Sequence, residues 1–242
     1  MTRAGLAGVE LGTVELPAYE LPAEQPSVPA TTYLERIAAA ERVTAEAGLD
    51  ALIVYADREH FANLSYLTGY DPRFEEALLL LVPGRTPTLL VGNEGAAYAK
   101  VVPPAVEVLL YQSLSLVGQD RSASPPLADI LRSAGVGRSD VGRGGATRPG
   151  IAGWKYFGPA DAARPAEWID APAFIVDELR ALGCEPVNAT GLFTEPGRGL
   201  RLVSDADQLA CFEFAAAHGS ESMRRMLHGV RPGLTELEAF AL

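Results

Sequence analysis

The chain has 242 residues, 20 basic against 31 acidic side chains (net charge −11), and is 48% hydrophobic and 21% charged. This is the balance of a folded globular protein, and its acidity disfavours nucleic acid and anionic membrane surfaces as partners. Two cysteines, Cys184 and Cys211, exclude a disulfide framework or structural zinc site, and no apolar run approaches the roughly 20 residues that span a bilayer.

Residues 1–30 contain Pro17, Pro22, Pro26 and Pro29 with no hydrophobic period, and read as a proline-rich tail or extended arm. The first residues lack the apolar core of a signal peptide, so the expected location is cytoplasmic. Asn63-Leu64-Ser65 and Asn188-Ala189-Thr190 are then chance matches to a glycosylation signal. Order begins with a capping box at Thr32 and Glu35. The helix behind it, with Leu34, Ile37, Ala38 and Ala45 as apolar positions, ends at Gly48. Residues 51–55 form a short apolar run suited to a strand buried on both faces. Asp57 is the predicted cap of a helix running to Leu67 and ended by Gly69.

Residues 77–82 and 88–91 are two apolar runs joined by a connection short enough for a hairpin. A brief helix over 95–101 and a strand over 106–111 follow. Ser124-Pro125-Pro126 supplies a cap and a first-turn proline for a helix stopped by Gly135. A strand over 151–157 and a helix over 172–182, ended by Gly183, complete an α/β layer. A hairpin beside buried strands predicts a mixed sheet with helices on both faces. The breaker cluster at 194–199 is the predicted linker. Beyond it, Ser204 and Asp207 open a long helix with the stripe Phe212, Ala216, Gly219, Met223, Met226 and Val230. Thr235 and Glu238 then cap a further helix. With no sheet of its own to cover, the stripe must dock on the preceding domain, pair with a second chain, or fray.

Catalytic signals are sparse, and no residue of this chain is assigned as catalytic or as a metal ligand. His60, His218 and His228 form no H-E-x-x-H or H-x-x-x-H pair. On one helix, His218 and His228 would lie about 80° apart, and polar or solvated roles are expected for all three. There is no G-x-S-x-G nucleophile elbow, and neither cysteine has an electropositive setting. Glu75-Glu76 reads as a solvated strand edge. The glycine-rich stretch 135–145 lacks the G-x-G-x-x-G spacing and the Walker lysine, and reads as a surface loop.

Asn63-Leu64-Ser65-Tyr66-Leu67-Thr68-Gly69-Tyr70, continuing through Leu80, resembles the creatinase/prolidase/aminopeptidase P family in the segment after its first strand. Residues 47–55, 90–94 and 153–157 are similar to other segments of that family's N-terminal domain. Residues 201–204, the helix after them, and Arg231-Pro232-Gly233-Leu234-Thr235-Glu236-Leu237-Glu238 resemble the entry into its catalytic domain, with Val203 where the family usually has Lys and Gln208-Leu209 where it usually has Glu-Ile.

The resemblance implies a six-stranded mixed sheet of ribonuclease H-like type over residues 31–195. Residues 196–242 would then be the linker and first helices of a truncated "pita-bread" metallopeptidase domain. It implies an Xaa-Pro-type peptidase in which this part restricts access and contributes to a homodimer acting on peptides. Its divalent metal pair (Mn, Co or Zn) would be held by residues beyond Leu242, so none is expected in this chain. The loop Tyr70, Asp71, Arg73 and Phe74 is the candidate substrate-proximal element, because it pairs an arginine suited to a carboxylate with aromatics. Two alternatives are a non-catalytic protein-interaction module of the same fold and the N-terminal part of a creatinase-type amidinohydrolase.

Overall fold

The computed structural model describes residues 12–15, 17, 20–137 and 147–242. Most of the glycine-rich stretch 135–145 and part of the 1–30 tail lie outside the described residues. The chain forms two compact units, one of residues 28–204 and one of the N-terminal arm to Ser27 with residues 205–242. The division falls after Ser204, because the predicted linker bonds back onto the first unit: Leu200 and Arg201 N–H donate to the Leu192 and Phe193 carbonyls.

In the first unit, α1 (Ala30–Glu46) leads into β1 (Ala51–Ala56), α2 (Ala62–Thr68), β2 (Ala77–Leu81), β3 (Thr88–Val91), α3 (Gly95–Tyr98) and β4 (Glu107–Leu110). Then come α4 (Leu127–Ser133), β5 (Pro149–Ala152), α5 (Ala173–Ala181), β6 (Val187–Asn188) and α6 (Gly191–Thr194). The expected six-stranded mixed sheet is present in the order β4-β3-β2-β1-β5-β6. The pairs β1–β2 and β2–β3 are antiparallel, and β3–β4, β1–β5 and β5–β6 are parallel.

Strands β1, β2, β3 and β5 are buried at every position. They read as unbroken apolar runs because helices cover both faces. Side chains alternate between faces: Leu52, Val54 and Ala56 join a core with Ile37, Leu64, Leu67 and Phe193 from α1, α2 and α6. Ile53 and Tyr55 join a second core with Ile130, Leu131, Ile175 and Leu179 from α4 and α5. Gly48 and Gly69 end α1 and α2 in the left-handed region, at φ +69 and +73, where a Cβ is disfavoured.

Four local expectations are corrected. Helix α1 begins directly after Pro29, the N-cap residue, whose backbone is extended (ψ 157); Thr32 therefore lies inside the first turn, its N–H already bonded to the Pro29 carbonyl, and no capping box forms. The buried face of α1 is Tyr33, Arg36, Ile37, Ala40 and Thr44, leaving Leu34 49% exposed. Pro126 precedes α4 in the same way, while the Ser124 hydroxyl accepts instead from the Gln112 N–H. Strand β5 covers 149–152 rather than 151–157, because the next N–H groups bond to side chains: Gly153 to Thr190, and Trp154 and Lys155 to Asp170. The short β6 and α6 have no counterpart among the sequence expectations.

The second unit holds α7 (Ala206–Gly229) and α8 (Glu236–Phe240). Asp205, not Ser204, caps α7, accepting from the Gln208 N–H. The predicted capping box of Thr235 and Glu238 is present on α8. No residue of α7 is buried, and Phe212, Met223 and Val230 of the predicted stripe are all more than half exposed.

Candidate functional site

The strand pairing brings the chemistry-bearing loops to one end of the sheet. Ala56 pairs with Ala77, Ala77 with Val91, and Val91 with Leu110, while Val54 pairs with Ala152 and Ile151 with Asn188. Segments 57–61, 70–76, 92–95, 111–121, 153–157 and 189–195 therefore leave the sheet on the same side. At that end β1 and β5 lie parallel, and their following helices pack on opposite faces, α2 in one core and α5 in the other. In open α/β sheets such a switch point, outside the carboxyl ends of the strands, is where ligands bind.

The predicted loop separates into inner and outer parts. Tyr70 is only 1% exposed, with its ring centroid 5.4 Å from that of Tyr98. Burial, reinforced by the nearby negative charge of Glu75, pushes its phenol pKa up. It is a core residue, not a surface one. Asp71 organises the turn, its Oδ1 accepting from the Arg73 N–H at 2.8 Å. That bond accompanies Arg73 at φ +62, the one positive-φ residue other than glycine among those described, a conformation that costs about 1–2 kcal/mol. Arg73 and Phe74 are adjacent and exposed. Of the four candidates, Arg73 and Phe74 are exposed, Asp71 is half-buried and Tyr70 is buried.

Glu75, expected at a solvated strand edge, is buried at 3% exposure. Its carboxylate accepts from the Gly95 N–H at 2.9 Å and the Glu94 N–H at 3.2 Å. A Cβ at Gly92 would lie 2.6 Å from Glu75 Oε2, so glycine there admits the carboxylate. The carboxylate thus anchors the turn after β3 to the candidate loop. Glu76 is partly buried beside Tyr55. Burial raises its carboxyl pKa, and a hydrogen bond with the Tyr55 hydroxyl opposes that rise in part.

On the β1–β5 side, Asp57 caps a turn rather than a helix. Its Oδ1 accepts from the Glu59 and His60 N–H groups at 2.8 Å and lies 3.0 Å from His60 Nδ1. Burial works to raise the Asp57 pKa, but these bonds outweigh it and hold the carboxyl below its ordinary value. The His60 ring stacks on Trp154 with centroids 4.5 Å apart.

Behind the stack lies Asn63, 4% exposed. Its Nδ2 donates to the Gly153 carbonyl at 2.7 Å and its Oδ1 accepts from Arg201 at 2.8 Å. Gly153 N–H donates to Thr190 Oγ1, which donates to Asp170, and Asp170 accepts from the Trp154 and Lys155 N–H groups. Sequence reasoning missed Asn63, Arg201 and Trp154 as a connected group. The only signal was the place of Asn63 at the head of the Asn-x-x-Tyr-Leu-Thr-Gly segment.

Among the described residues, no three of His, Cys, Asp and Glu come together as a metal site. The implied metal pair therefore does not fit the residues described here. A cavity of about 690 Å³ between the end of α1 and segment 156–166 is lined mainly by apolar groups such as Val43, Leu49, Tyr156 and Leu192. Two of its charges, Glu195 and Arg198, pair with each other at 2.6 Å.

The family model of the creatinase/prolidase N-terminal domain matches residues 36–181. The chain belongs to this family. Its fold is similar to that of a prolidase from Pyrococcus horikoshii OT3, at 14% identity and a TM-score of 0.56, covering 86% of this chain and 46% of that one. It is also similar to a dipeptidase from Mycobacterium ulcerans (20%, 0.51, 88% and 48%) and an X-Pro aminopeptidase from Thermotoga maritima MSB8 (16%, 0.53, 84% and 46%). This creatinase/prolidase-type chain thus spans less than half the length of each. A search of curated proteins gives no match.

The raised pKa of Glu76 fixes a sign for pH dependence. A carboxyl protonated more readily in the folded state contributes most stability below its unfolded pKa. That contribution is lost as pH rises through the folded value. Glu76→Gln is therefore expected to match the parent chain at about pH 4 and to exceed it in urea-unfolding midpoint at about pH 8. A gap of opposite sign, or one independent of pH, would contradict the burial of this carboxyl.

Proposed function

We propose that this chain is the N-terminal part of an Xaa-Pro-type metallopeptidase, with residues 31–195 restricting access to the active site and contributing to a homodimer. Residues 1–30 would be an N-terminal arm and residues 196–242 the linker and first helices of the catalytic domain. The observation that carries this reading is the family match over residues 36–181, on a chain whose later residues resemble the entry to the catalytic domain. The exposed stripe on α7 supports it, since those side chains would gain about 1.5–3 kcal/mol each on burial.

In this reading the substrates are peptides, and a divalent metal pair (Mn, Co or Zn), held by the catalytic domain of the complete enzyme and not by this chain's residues, would supply an activated water for peptide hydrolysis. The location is read as cytoplasmic, supported by a cysteine count of two, too few for a disulfide framework. No described helix is long and apolar enough to cross a membrane. Arg73 and Phe74 are the substrate-proximal pair. The guanidinium suits a peptide carboxylate and the phenyl ring suits an apolar side chain, on a turn organised by Asp71 and footed on buried Tyr70 and Glu75.

The purified 242-residue chain is expected to hydrolyse no Xaa-Pro peptide with Mn²⁺ or Co²⁺ added. Metal-dependent turnover that follows the protein through purification would overturn the assignment. In an enzyme carrying the catalytic domain as well, Arg73→Ala is expected to raise KM or lower kcat by roughly ten- to a hundredfold, as for loss of a charge-assisted contact, with Tm unchanged. Unchanged kinetics at unchanged Tm would remove Arg73 from the site.

A further inference from the structure

Helix α7 has a second face, opposite in role to the apolar stripe. Asp207, Cys211, Phe214, His218 and Glu221 are partly covered, at the 3- and 4-residue spacings of one helical side, whereas Phe212, Ala216, Gly219 and Met223 are exposed. Two contacts identify what lies on that face. His218 Nε2 is 3.2 Å from the Pro22 carbonyl, and Cys211 Sγ is 3.8 Å from the Pro26 carbonyl. A carbonyl only accepts, so the imidazole nitrogen facing Pro22 carries the proton.

The order of the two contacts, Pro26 at Cys211 and Pro22 at His218, runs the arm antiparallel to the helix. Cys211 to His218 is seven residues, or about 10.5 Å of helix. The four residues from Pro22 to Pro26 cover that length with a bend at Ala23 and Glu24. Prolines at both contacts suit this, because they lack an N–H that would need a partner against the helix and their φ is already fixed. The Phe214 and His218 rings, 4.4 Å apart, form an aromatic step between the two contact points. The arm and α7 also belong to the same compact unit.

We propose that the Cys211–Phe214–His218 face of α7 is a docking surface for a proline-rich segment, occupied in cis by the chain's own residues 20–27. The arm is then a strap rather than a free tail. It shields one face of α7 and leaves the Phe212–Met223 stripe open.

Cys211 reports on the strap, and buried Cys184 serves as the control for folding of the first unit. Removing residues 1–27 is expected to speed reaction of Cys211 with a thiol reagent severalfold while Cys184 stays protected. A synthetic peptide of residues 12–29 is expected to slow it again. Equal Cys211 rates with and without the arm would overturn the proposal. In the full chain, Pro26→Cys is expected to form a disulfide with Cys211 within one molecule when air-oxidised. Formation of no disulfide, or only of one between two chains, would overturn the assignment in cis.

Discussion

A single buried amide ties together the loops at one end of the sheet. Asn63 sits at the start of α2 and uses both ends of its side chain, donating to the Gly153 carbonyl after β5 and accepting from Arg201 at the exit from the unit. Without those partners, a polar group at 4% exposure would carry a desolvation cost of about 1–3 kcal/mol. With them, it fixes three distant pieces of chain at one point. Beyond Gly153 the same network runs through Thr190 to Asp170, which holds the backbone beneath Trp154. The stacked His60–Trp154 pair rests on that framework.

The two sides of this end are built differently. Around β1 and β5 a polar network orients aromatic and imidazole groups. Around β2 and β3 a buried carboxylate, Glu75, is driven into the turn that follows β3, which requires glycine at position 92. Both devices rest on a sheet whose central strands are covered on each face, so the strand ends have little freedom to shift. An exposed pair such as Arg73 and Phe74 gains a defined position from this foundation.

What was legible in the sequence followed from local chemistry. The run Ala51-Leu52-Ile53-Val54-Tyr55 announces a doubly covered strand, and Gly48, Gly69 and Gly183 mark helix ends, because each signal is complete within a few residues. Cap assignments at Thr32 and Ser124 failed because a proline next to each helix start fixed the boundary independently of the nearby hydroxyl. Glu75 was misread because its burial depends on backbone donors 19 and 20 residues away. Asn63 was unreadable for the same reason on a larger scale, with partners 90 and 138 residues distant. On α7, composition revealed the apolar stripe but not that the N-terminal prolines lie along the other side.

The most direct test of this account is a double-mutant cycle at Asn63 and Arg201, read by urea unfolding of the full chain. Asn63→Ala, Arg201→Ala and the combined variant should not be additive. The expected coupling is about 0.5–1.5 kcal/mol, with Asn63→Ala the costlier single change because it also orphans the Gly153 carbonyl. Additive losses, or an Asn63→Ala variant as stable as the parent, would contradict the claim that this amide ties the end of the sheet together.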